Sequence, residues 1–331
     1  MALSKIPPAG HAQYVGARNL IINGAMNIAQ RGTVTGATVA YGGPDRYQFA
    51  RGGGAAVTLS QDSDVPSNQG FANSLKVDVT TADSSVAASD YAMVRQILEA
   101  QNCQRLLYGT SEAKKITIQF WVKSSKTGTH IFELYHYDAH YFSEQAYTIA
   151  SADTWQKVTL TFDGYQTTGF ADDNASGLQA TWWLMTGSTY GGGTFTSNSW
   201  HNVQANRAVG QVNVMDSTDN NFYITGVQLE VGEQATPFEH RSFGDELARC
   251  QRYFTKWTNG SVYYGTRYSS ANGFVFLDCP VRMRAYPTVT TSTSQTTTGL
   301  DVASYNSQER VAVYMASTAP YIGVTTADAE L

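Results

Sequence analysis

Charged side chains are scarce in this sequence. Asp, Glu, Lys and Arg make up 15% of its 331 residues, against roughly 25% in ordinary globular domains. The net charge is −5 and no cluster of lysine and arginine is present, so a nucleic-acid partner is not expected. Polarity comes from Ser, Thr, Asn and Gln, with 29 Gly and 20 Tyr. This balance is typical of strands joined by many turns and of surfaces that assemble without burying charge.

Cysteines and long apolar runs are also few. Cys103, Cys250 and Cys279 are widely spaced and odd in number, which excludes a disulfide framework and a CxxC metal site. Buried free thiols are expected. No apolar run approaches the roughly 20 residues that span a bilayer, so membrane insertion is not expected. The start of the chain lacks the apolar stretch of a secretory signal, which favours synthesis and assembly in the cytosol.

Residues 19–241 are predicted to form successive β-strands. The clearest alternation of apolar and polar residues places Ile116, Ile118, Phe120 and Val122 on one face of a strand. A turn at 124–129 and a return strand at 131–137 follow. At 222–231 the same period predicts one face that carries Tyr223, Thr225, Val227, Leu229 and Val231. Many short strands with Gly and Asx turns indicate a sandwich rather than a parallel α/β sheet.

One segment has helical spacing instead. Apolar residues recur every three or four positions at Phe243, Leu247, Cys250, Phe254 and Trp257. Ser242 with Asp245 three residues later resembles a capping box, so a helix of about 12–15 residues is expected within 242–257. Residues 258–331 return to strand-like patterns. We therefore expect an all-β chain with a sandwich at 19–241, a linking helix at 242–257 and a smaller C-terminal β domain at 258–331.

Aromatic residues give the first candidate site. Trp182 and Trp183 are adjacent, so in a strand they point to opposite faces. Ala180 and Leu184 would share the face of Trp182, and Thr181 and Met185 that of Trp183. Exposed rings beside the glycines at 191–193 would suit a sugar platform, whereas core or subunit-interface packing is the more ordinary explanation. The candidate glycan-binding residues are Trp183, Tyr190, Trp200, His201, Tyr135 and Tyr137.

Metal and catalytic motifs are weak. His136 and His140 have a spacing that suits zinc on a helix, but their surroundings are predicted to be strand and loop. The Asp/Asn-rich segments 172–174 and 216–221 are more typical of turns than of calcium sites. The sequence contains no GxSxG elbow, P-loop or GxGxxG after a strand, so we expect no cofactor, no bound metal and no enzymatic activity. A pair of carboxylates in a cleft would still suffice for a glycan depolymerase; Glu133, Asp138 and Glu144 are close in the chain.

Several longer strings carry a resemblance to a known family. They are NLIINGAMNIAQRGT from Asn19, DRYQF from Asp45, LLYGT from Leu106, IQFWVKS from Ile118, FYITGVQLEVG from Phe222, ATPFEHR from Ala235 and ELARCQRYF from Glu246. Together they resemble bacteriophage tail-fibre and related virion proteins, whose central part is similar to jelly-roll carbohydrate-binding modules. The resemblance covers residues 1–257 and is less specific beyond them, where PVRMRAYPT from Pro280 matches.

The resemblance implies a jelly-roll virion subunit, usually a homotrimer, that binds host surface polysaccharide. Residues 1–18 would dock on other virion proteins, and the C-terminal domain would form a distal knob. Only 18 residues precede the Asn19 string, which favours a compact spike or tip over a long fibre. The alternatives are a purely structural capsid decoration or tail-assembly protein, a glycan-cleaving depolymerase and a free-standing carbohydrate-binding module. The family's sugar contacts are not defined by these motifs.

Overall fold

The computed structural model describes residues 18–257, 266–267, 272–291, 307–316 and 325–331. The first twelve strands are β1 (Val34–Ala37), β2 (Val39–Tyr41), β3 (Gln48–Gly52), β4 (Ala56–Asp62), β5 (Ser74–Thr81), β6 (Tyr91–Glu99), β7 (Ile116–Ser124), β8 (Gly128–His136), β9 (Tyr141–Ile149), β10 (Gln156–Phe162), β11 (Ser176–Thr186) and β12 (Asn221–Val231). The expected docking segment, residues 1–18, lies outside the described residues except for Arg18.

The twelve strands form two six-stranded antiparallel sheets. The first sheet has the order β1-β4-β5-β12-β7-β10 and the second β2-β3-β6-β11-β8-β9. Neighbours in each sheet are mostly distant in sequence, because the chain crosses repeatedly from one sheet to the other. The two inner faces enclose one hydrophobic core. The predicted all-β, jelly-roll sandwich is therefore confirmed.

Aromatic side chains fill the centre of this core. Phe120 of the first sheet lies between Phe132 and Trp182 of the second, with ring centroids 5.8 and 5.6 Å away. Phe132 and Trp182 are themselves 5.1 Å apart in an edge-on arrangement, the geometry that aromatic quadrupoles favour. The alternation predicted for 116–122 is correct, since Ile116, Ile118, Phe120 and Val122 are all fully buried in the core. Trp182 belongs to this core, as its place in the strand predicts.

The predicted single face of β12 is wrong. Tyr223 lies on the outer face beside Trp155, whereas Val227 and Leu229 lie in the core. The register of β12 against β7 shifts between Thr225 and Gln228, at Gly226, whose φ is +61°. An extra residue in a strand reverses the facing of every residue after it. Phe222 and Ile224 before the bulge therefore share the core face with Val227 and Leu229 after it, and Tyr223 does not.

The first described residues fill the gap that this bulge opens. The Asn19 side chain donates to the Val227 carbonyl (2.9 Å) and accepts from the Leu229 amide (3.0 Å). The carboxylate of Glu239 accepts from the Arg18 and Asn19 amides (3.3 and 2.9 Å). The strings around residues 19, 226 and 239 thus meet in space, and their specific residue types satisfy backbone groups of an interrupted strand.

Four strand residues occupy positions predicted to be helical. After the short helix α1 (Ser188–Gly191), the helix α2 spans Phe243–Gln251, nine residues, and Phe254–Trp257 is strand β13. The helix begins as predicted, because the Ser242 hydroxyl accepts from the Asp245 amide (3.2 Å). It ends early because residues from Phe254 onward pair with a strand near residue 328. None of the helices in the described residues is long and apolar enough to cross a bilayer.

Two further sheets follow α2. Their remaining strands are β14 (Thr266–Arg267), β15 (Asn272–Asp278), β16 (Thr288–Thr291), β17 (Arg310–Ala316) and β18 (Thr325–Asp328). The sheet orders are β13-β18-β16 and β14-β15-β17, around a small core that includes Leu277, Met283 and Val311. Much of the segment 258–331, predicted to be strand-like, lies outside the described residues.

Buried ion pairs fasten these sheets to the sandwich. Arg46, almost fully buried, pairs with Glu330 and stacks on the Tyr253 ring, with its guanidinium carbon 3.4 Å from the ring centroid. Arg252 forms two hydrogen bonds with Glu99 (2.8 and 2.7 Å). Paired charges of this kind tolerate burial because each satisfies the other.

Candidate functional site

Polar side chains form a row across the outer face of the second sheet. In register, the row runs through Gln48 on β3, Arg95 on β6, Thr181 on β11, Glu133 on β8 and Glu144 on β9. Their neighbours along each strand face the core, since side chains alternate between the two faces. The row therefore places chemically active groups on a rigid surface.

An apolar patch lies next to this row and is covered. It comprises Ala50, Met93, Ile131 and Trp183, with Ala208 packed on top. Ala208 belongs to the segment 187–212, which we call the covering loop and which begins with α1. The loop is fixed along the β9 edge, where the backbones of Phe142 and His201 exchange two hydrogen bonds (2.7 and 2.9 Å). The edge strand of a sheet has unpaired backbone groups, and hydrogen bonds to these groups fix the loop against the sheet.

A cavity of ≈ 160 Å³ remains between the covering loop and the sheet. We call it the tyrosine–arginine pocket. Its walls are Tyr91, Met93, Arg95, Tyr135, Tyr137, Gln179, Tyr190 and Arg207. Aromatic walls with a few fixed polar groups are typical of small-ligand sites.

Four tyrosine rings shape the pocket in two pairs. The centroids of Tyr135 and Tyr137 are 4.5 Å apart, and those of Tyr91 and Tyr190 are 5.5 Å apart, edge to face. All four side chains are half-buried. Burial raises the pKa of the Tyr135 and Tyr137 hydroxyls, which therefore remain neutral and can both donate and accept hydrogen bonds. The Tyr137 hydroxyl donates to Gln179 Oε1 (2.9 Å) and the Tyr135 hydroxyl meets His140 Nδ1 (2.8 Å).

Arg95 is held by neutral groups. Its Nε donates to Gln48 Oε1 (2.7 Å) and its Nη1 to Gln179 Oε1 (3.2 Å). The Gln179 amide nitrogen in turn donates to Thr181 Oγ1 (2.7 Å), which fixes the orientation of the amide. Within the described part of the chain, Arg95 forms no ion pair with a carboxylate. The guanidinium is thus positioned without being neutralised.

Arg207, by contrast, is neutralised. Its Nε and Nη2 donate to the two oxygens of Glu133 (2.7 and 2.8 Å), the bidentate geometry that favours arginine–carboxylate pairs. Its guanidinium carbon lies 4.0 Å from the Phe142 ring centroid and 5.2 Å from that of Trp183. Burial tends to lower the Arg207 pKa, but the charge of Glu133 outweighs it and the pKa is raised. Arg207 therefore joins the loop to the sheet through charge and ring stacking together.

Glu144 is held as a neutral acid. The Val203 amide donates to His201 Nδ1 (3.2 Å), so a neutral His201 carries its proton on Nε2 and donates it to Glu144 Oε1 (2.7 Å). Burial, reinforced by the charge of Glu133, raises the pKa of Glu144 to about 8. Burial and the Arg207 charge lower the pKa of His201. Glu144 Oε2 is buried and has no hydrogen-bond partner among the described residues, so ionisation would leave negative charge on a buried atom that nothing stabilises.

The six candidate residues from the sequence fall into four places. Tyr135, Tyr137 and Tyr190 line the pocket. Trp183 is fully buried under the covering loop, so it supports the pocket rather than forming an exposed platform. Trp200 packs at the edge of the main core and donates from Nε1 to the Asp163 carbonyl (2.8 Å).

His201, the sixth candidate, lies on the covering loop and bonds to Glu144 rather than lining the pocket. Met185, expected on the face of Trp183, lies in the main core instead. The register of β11 shifts between Trp183 and Met185, which returns Met185 to the inner side.

Sequence reasoning missed Tyr91, Arg95, Gln179 and Arg207. One signal was available for two of them, because Tyr91, Met93 and Arg95 alternate with apolar residues that face the core. The alternation places both side chains on the outer face of the strand, but nothing local shows that this face lines a pocket. No comparable signal identifies Arg207, which lies in an irregular loop.

The described structure does not bring the candidate histidines together as a metal site. His136 is buried against Phe170 (centroids 4.0 Å apart) and meets the Thr168 carbonyl, whereas exposed His140 faces Tyr135. No group of three or more potential His, Cys, Asp or Glu ligands occurs among the residues that the structure describes. Asp173 accepts from the Ala175 amide (2.9 Å), as expected for a turn.

A larger hollow, ≈ 340 Å³, lies elsewhere, between residues 111–115 and 231–233. It has no aromatic side chain in its walls, and its Lys115 is paired with Asp163 and Glu233 (both 3.4 Å). The tyrosine–arginine pocket is the better candidate for ligand binding.

Comparisons with known proteins show similarity in fold alone. No family model matches the chain, and no curated protein matches its sequence. One similar solved structure is the enzymatically active domain of tailspike protein 4 of bacteriophage CBA120, with 13% identity, a TM-score of 0.35 and coverage of 65% of this chain and 21% of that one. A family 11 carbohydrate-binding module of a Clostridium thermocellum cellulosomal cellulase has 14% identity, a TM-score of 0.30 and coverage of 60% and 99%.

The carbohydrate-binding module TmCBM61, in complex with beta-1,4-galactotriose, is a third (8% identity, TM-score 0.29, coverage 56% and 88%). At these identities and TM-scores, the matches assign neither a family nor a function to this chain.

Proposed function

We propose that the chain is a glycan-binding subunit of a bacteriophage particle, of the tail-fibre or tail-spike type, and that the tyrosine–arginine pocket holds the sugar. The observation that carries the binding proposal is the pocket itself. Four half-buried tyrosines surround two guanidinium groups and an oriented amide on a rigid sheet. Neutral tyrosine hydroxyls and the Gln179 amide can exchange hydrogen bonds with sugar hydroxyls, while the rings pack against the apolar C–H faces of a pyranose.

The pocket is formed before any ligand arrives. Gln179 accepts from both Arg95 and Tyr137, and the covering loop is fixed to β9 by backbone bonds. Side chains that are already oriented lose little conformational entropy on binding. A preformed site of this kind suits recognition of a surface polysaccharide whose single sugars bind weakly.

Assembly is the second part of the proposal. The strings that resemble virion proteins support a homotrimer in which the first 18 residues attach to other virion proteins. Three copies would present three pockets, and linked weak sites bind a repeating polymer far more tightly than one. Light scattering after size-exclusion chromatography should then give about three times the 36.0 kDa chain mass. A dominant monomer would contradict the trimer.

Binding rather than catalysis is proposed because of where the carboxylates lie. Glycosidases place two carboxyl groups on either side of the scissile bond, in a cleft. The side chains of Glu133 and Glu144 have no exposed surface, and Glu133 is engaged by Arg207 on both oxygens. A sugar in the pocket would meet tyrosine and arginine first. Incubation with host capsular polysaccharide or lipopolysaccharide should therefore release no oligosaccharide.

The binding test compares matched tyrosine substitutions. The double variant Tyr135→Ala/Tyr137→Ala removes one wall of the pocket, whereas Tyr286→Ala removes a ring that is 74% exposed in the C-terminal sheets. On an array of bacterial surface glycans, the double variant should lose binding and Tyr286→Ala should keep it. The reverse result would move the site to the C-terminal sheets and overturn the pocket assignment.

Adsorption of the phage tests the virion role. Isolated protein should compete with the phage for host cells, and the Tyr135→Ala/Tyr137→Ala variant should not. Failure of the wild-type protein to reduce adsorption would favour a purely structural decoration or tail-assembly role.

A further inference from the structure

We infer that the sugar in the tyrosine–arginine pocket carries a negative charge, supplied by a uronic acid carboxylate or a sulfate. This inference rests on the proposed function, because it names the class of glycan that the same pocket takes. It starts from the charges that face the cavity.

The pocket wall is positively charged. Arg95 and Arg207 both line the cavity, and no carboxylate is among its lining residues. Glu133 neutralises Arg207 through both oxygens. Glu144 does not line the cavity and is mostly protonated near neutrality, since burial raises its pKa to about 8. One positive charge, that of Arg95, is left without a counter-charge among the described residues.

Arg95 is also presented in a fixed geometry. Two of its nitrogens donate to the amide oxygens of Gln48 and Gln179, which orient the guanidinium but carry only partial charge. Its Nη2 has no acceptor among the described residues and is not buried, so it remains accessible to a ligand. A planar guanidinium prefers carboxylate, sulfate and phosphate oxygens, and hydrogen bonds to charged groups are about twice as strong as neutral ones.

The size of the cavity limits the ligand. At ≈ 160 Å³ it is smaller than the roughly 300–1,000 Å³ of sites for drug-sized ligands. It therefore holds one sugar residue of a polysaccharide at a time. The tyrosine rings would pack against that sugar while its charged group meets Arg95.

The test uses two pairs of polysaccharides whose members differ chiefly in charge. Polygalacturonate is compared with its methyl-esterified form, and dextran sulfate with dextran, by affinity electrophoresis or calorimetry. We expect binding of at least one charged member and roughly tenfold weaker or no binding of its neutral partner. The charged member that binds distinguishes carboxylate from sulfate. Binding should weaken as salt concentration rises.

A pair of variants locates the charge. Arg95→Gln should lower affinity for the charged polymer roughly 10- to 100-fold. Lys157→Gln removes the same charge from an exposed position of the first sheet and should leave affinity within about twofold. Circular dichroism checks that both variants fold, and the comparison of charged with neutral polymers on the wild-type protein needs no variant.

The outcomes separate the two proposals. Equal binding of charged and neutral partners, lost in Tyr135→Ala/Tyr137→Ala, overturns the charge inference and leaves glycan binding intact. An unchanged affinity of Arg95→Gln for the charged polymer also overturns it. Failure of the protein to bind any polysaccharide, here or on the glycan array, counts against the proposed function as well.

Discussion

Glu133 and Glu144 stand directly opposite each other on β8 and β9, and neither side chain is exposed. Like charges at facing positions of two strands repel, and burial would make two carboxylates costly. The molecule resolves the conflict differently for each residue. Arg207 on the covering loop pairs with Glu133, whereas Glu144 is held protonated against His201. The attachment of the covering loop and the charge of the pocket therefore depend on the same two residues.

Loss of the Arg207 charge should destabilise the fold. In Arg207→Gln, Glu133 remains buried beside Glu144 without its counter-charge, which typically costs about 3–5 kcal/mol. The double variant Arg207→Gln/Glu133→Gln removes both charges and should recover part of that loss. Urea denaturation of wild type, Arg207→Gln, Glu133→Gln and the double variant gives the coupling energy between Arg207 and Glu133.

Lys115→Gln is the matched control for this cycle. Its ion pairs are at the surface, where the Lys115 side chain is 47% exposed, and water and salt screen such pairs so that they contribute little. A destabilisation of Arg207→Gln no larger than that of Lys115→Gln would show that the covering loop does not depend on the buried pair.

Glu144 should make the protein less stable as pH rises. Its folded-state pKa of about 8 lies above the ordinary value of 4.5, so the folded state favours the protonated acid. The stabilisation is fully present below pH 4.5 and is lost as the pH rises through about 8. Glu144→Gln mimics the neutral acid and should not show this loss. Relative to wild type, the variant should gain at least about 1 kcal/mol in free energy of unfolding across that range; parallel pH profiles for the two proteins would contradict the assignment.

His130 should act with the opposite sign. It is buried between the rings of Tyr147 and Phe222 (5.5 and 6.3 Å), and burial lowers its pKa from 6.5 to about 4. Between those pH values the unfolded chain binds the proton that the folded state excludes, so stability falls as the solution is acidified. His130→Gln can still donate to the Lys126 carbonyl, as Nε2 does at 3.1 Å, but cannot become charged.

The measurement is the free energy of unfolding of both proteins from neutrality to about pH 4. Wild type should lose up to about 3 kcal/mol more than His130→Gln over this interval. Equal losses would mean that His130 takes up its proton at the same pH in the folded and unfolded states, in conflict with its buried position.

Much of the sandwich could be predicted because its signals are local. The alternation at Ile116–Val122 follows from the period of a strand, and the opposite facing of Trp182 and Trp183 follows from their adjacency. The start of α2 after Ser242 was likewise predicted from a capping pattern of four residues. Each of these features depends on neighbours in the chain.

The pocket depends on contacts between residues that are distant in the sequence. Arg95 meets Gln48 and Gln179 only because β6 lies between β3 and β11 in a particular register. For Trp183 the sequence left both an exposed platform and packing open, since nothing local shows that residues 187–212 fold back over it. The early end of α2 has the same origin, because Phe254 pairs with Asp328, more than seventy positions away. Register and long-range pairing are not encoded in the period of a segment.

Replacing Gly226 by a residue with a side chain should destabilise the protein, because Gly226 produces the bulge that puts Tyr223 and Val227 on opposite faces of β12. Its φ of +61° is costly for other residues, and an added Cβ would lie 2.6 Å from Cζ of Phe71, a ring that packs against Phe238 (5.0 Å). Gly226→Ala should therefore reduce the free energy of unfolding by about 2 kcal/mol or more. Gly244→Ala is the control: Gly244 lies in α2 with open space around it, so alanine there should be neutral or stabilising by up to about 1 kcal/mol. Urea denaturation of both variants measures these changes in stability. An unchanged unfolding midpoint for Gly226→Ala would show that β12 can regain continuous pairing without the glycine.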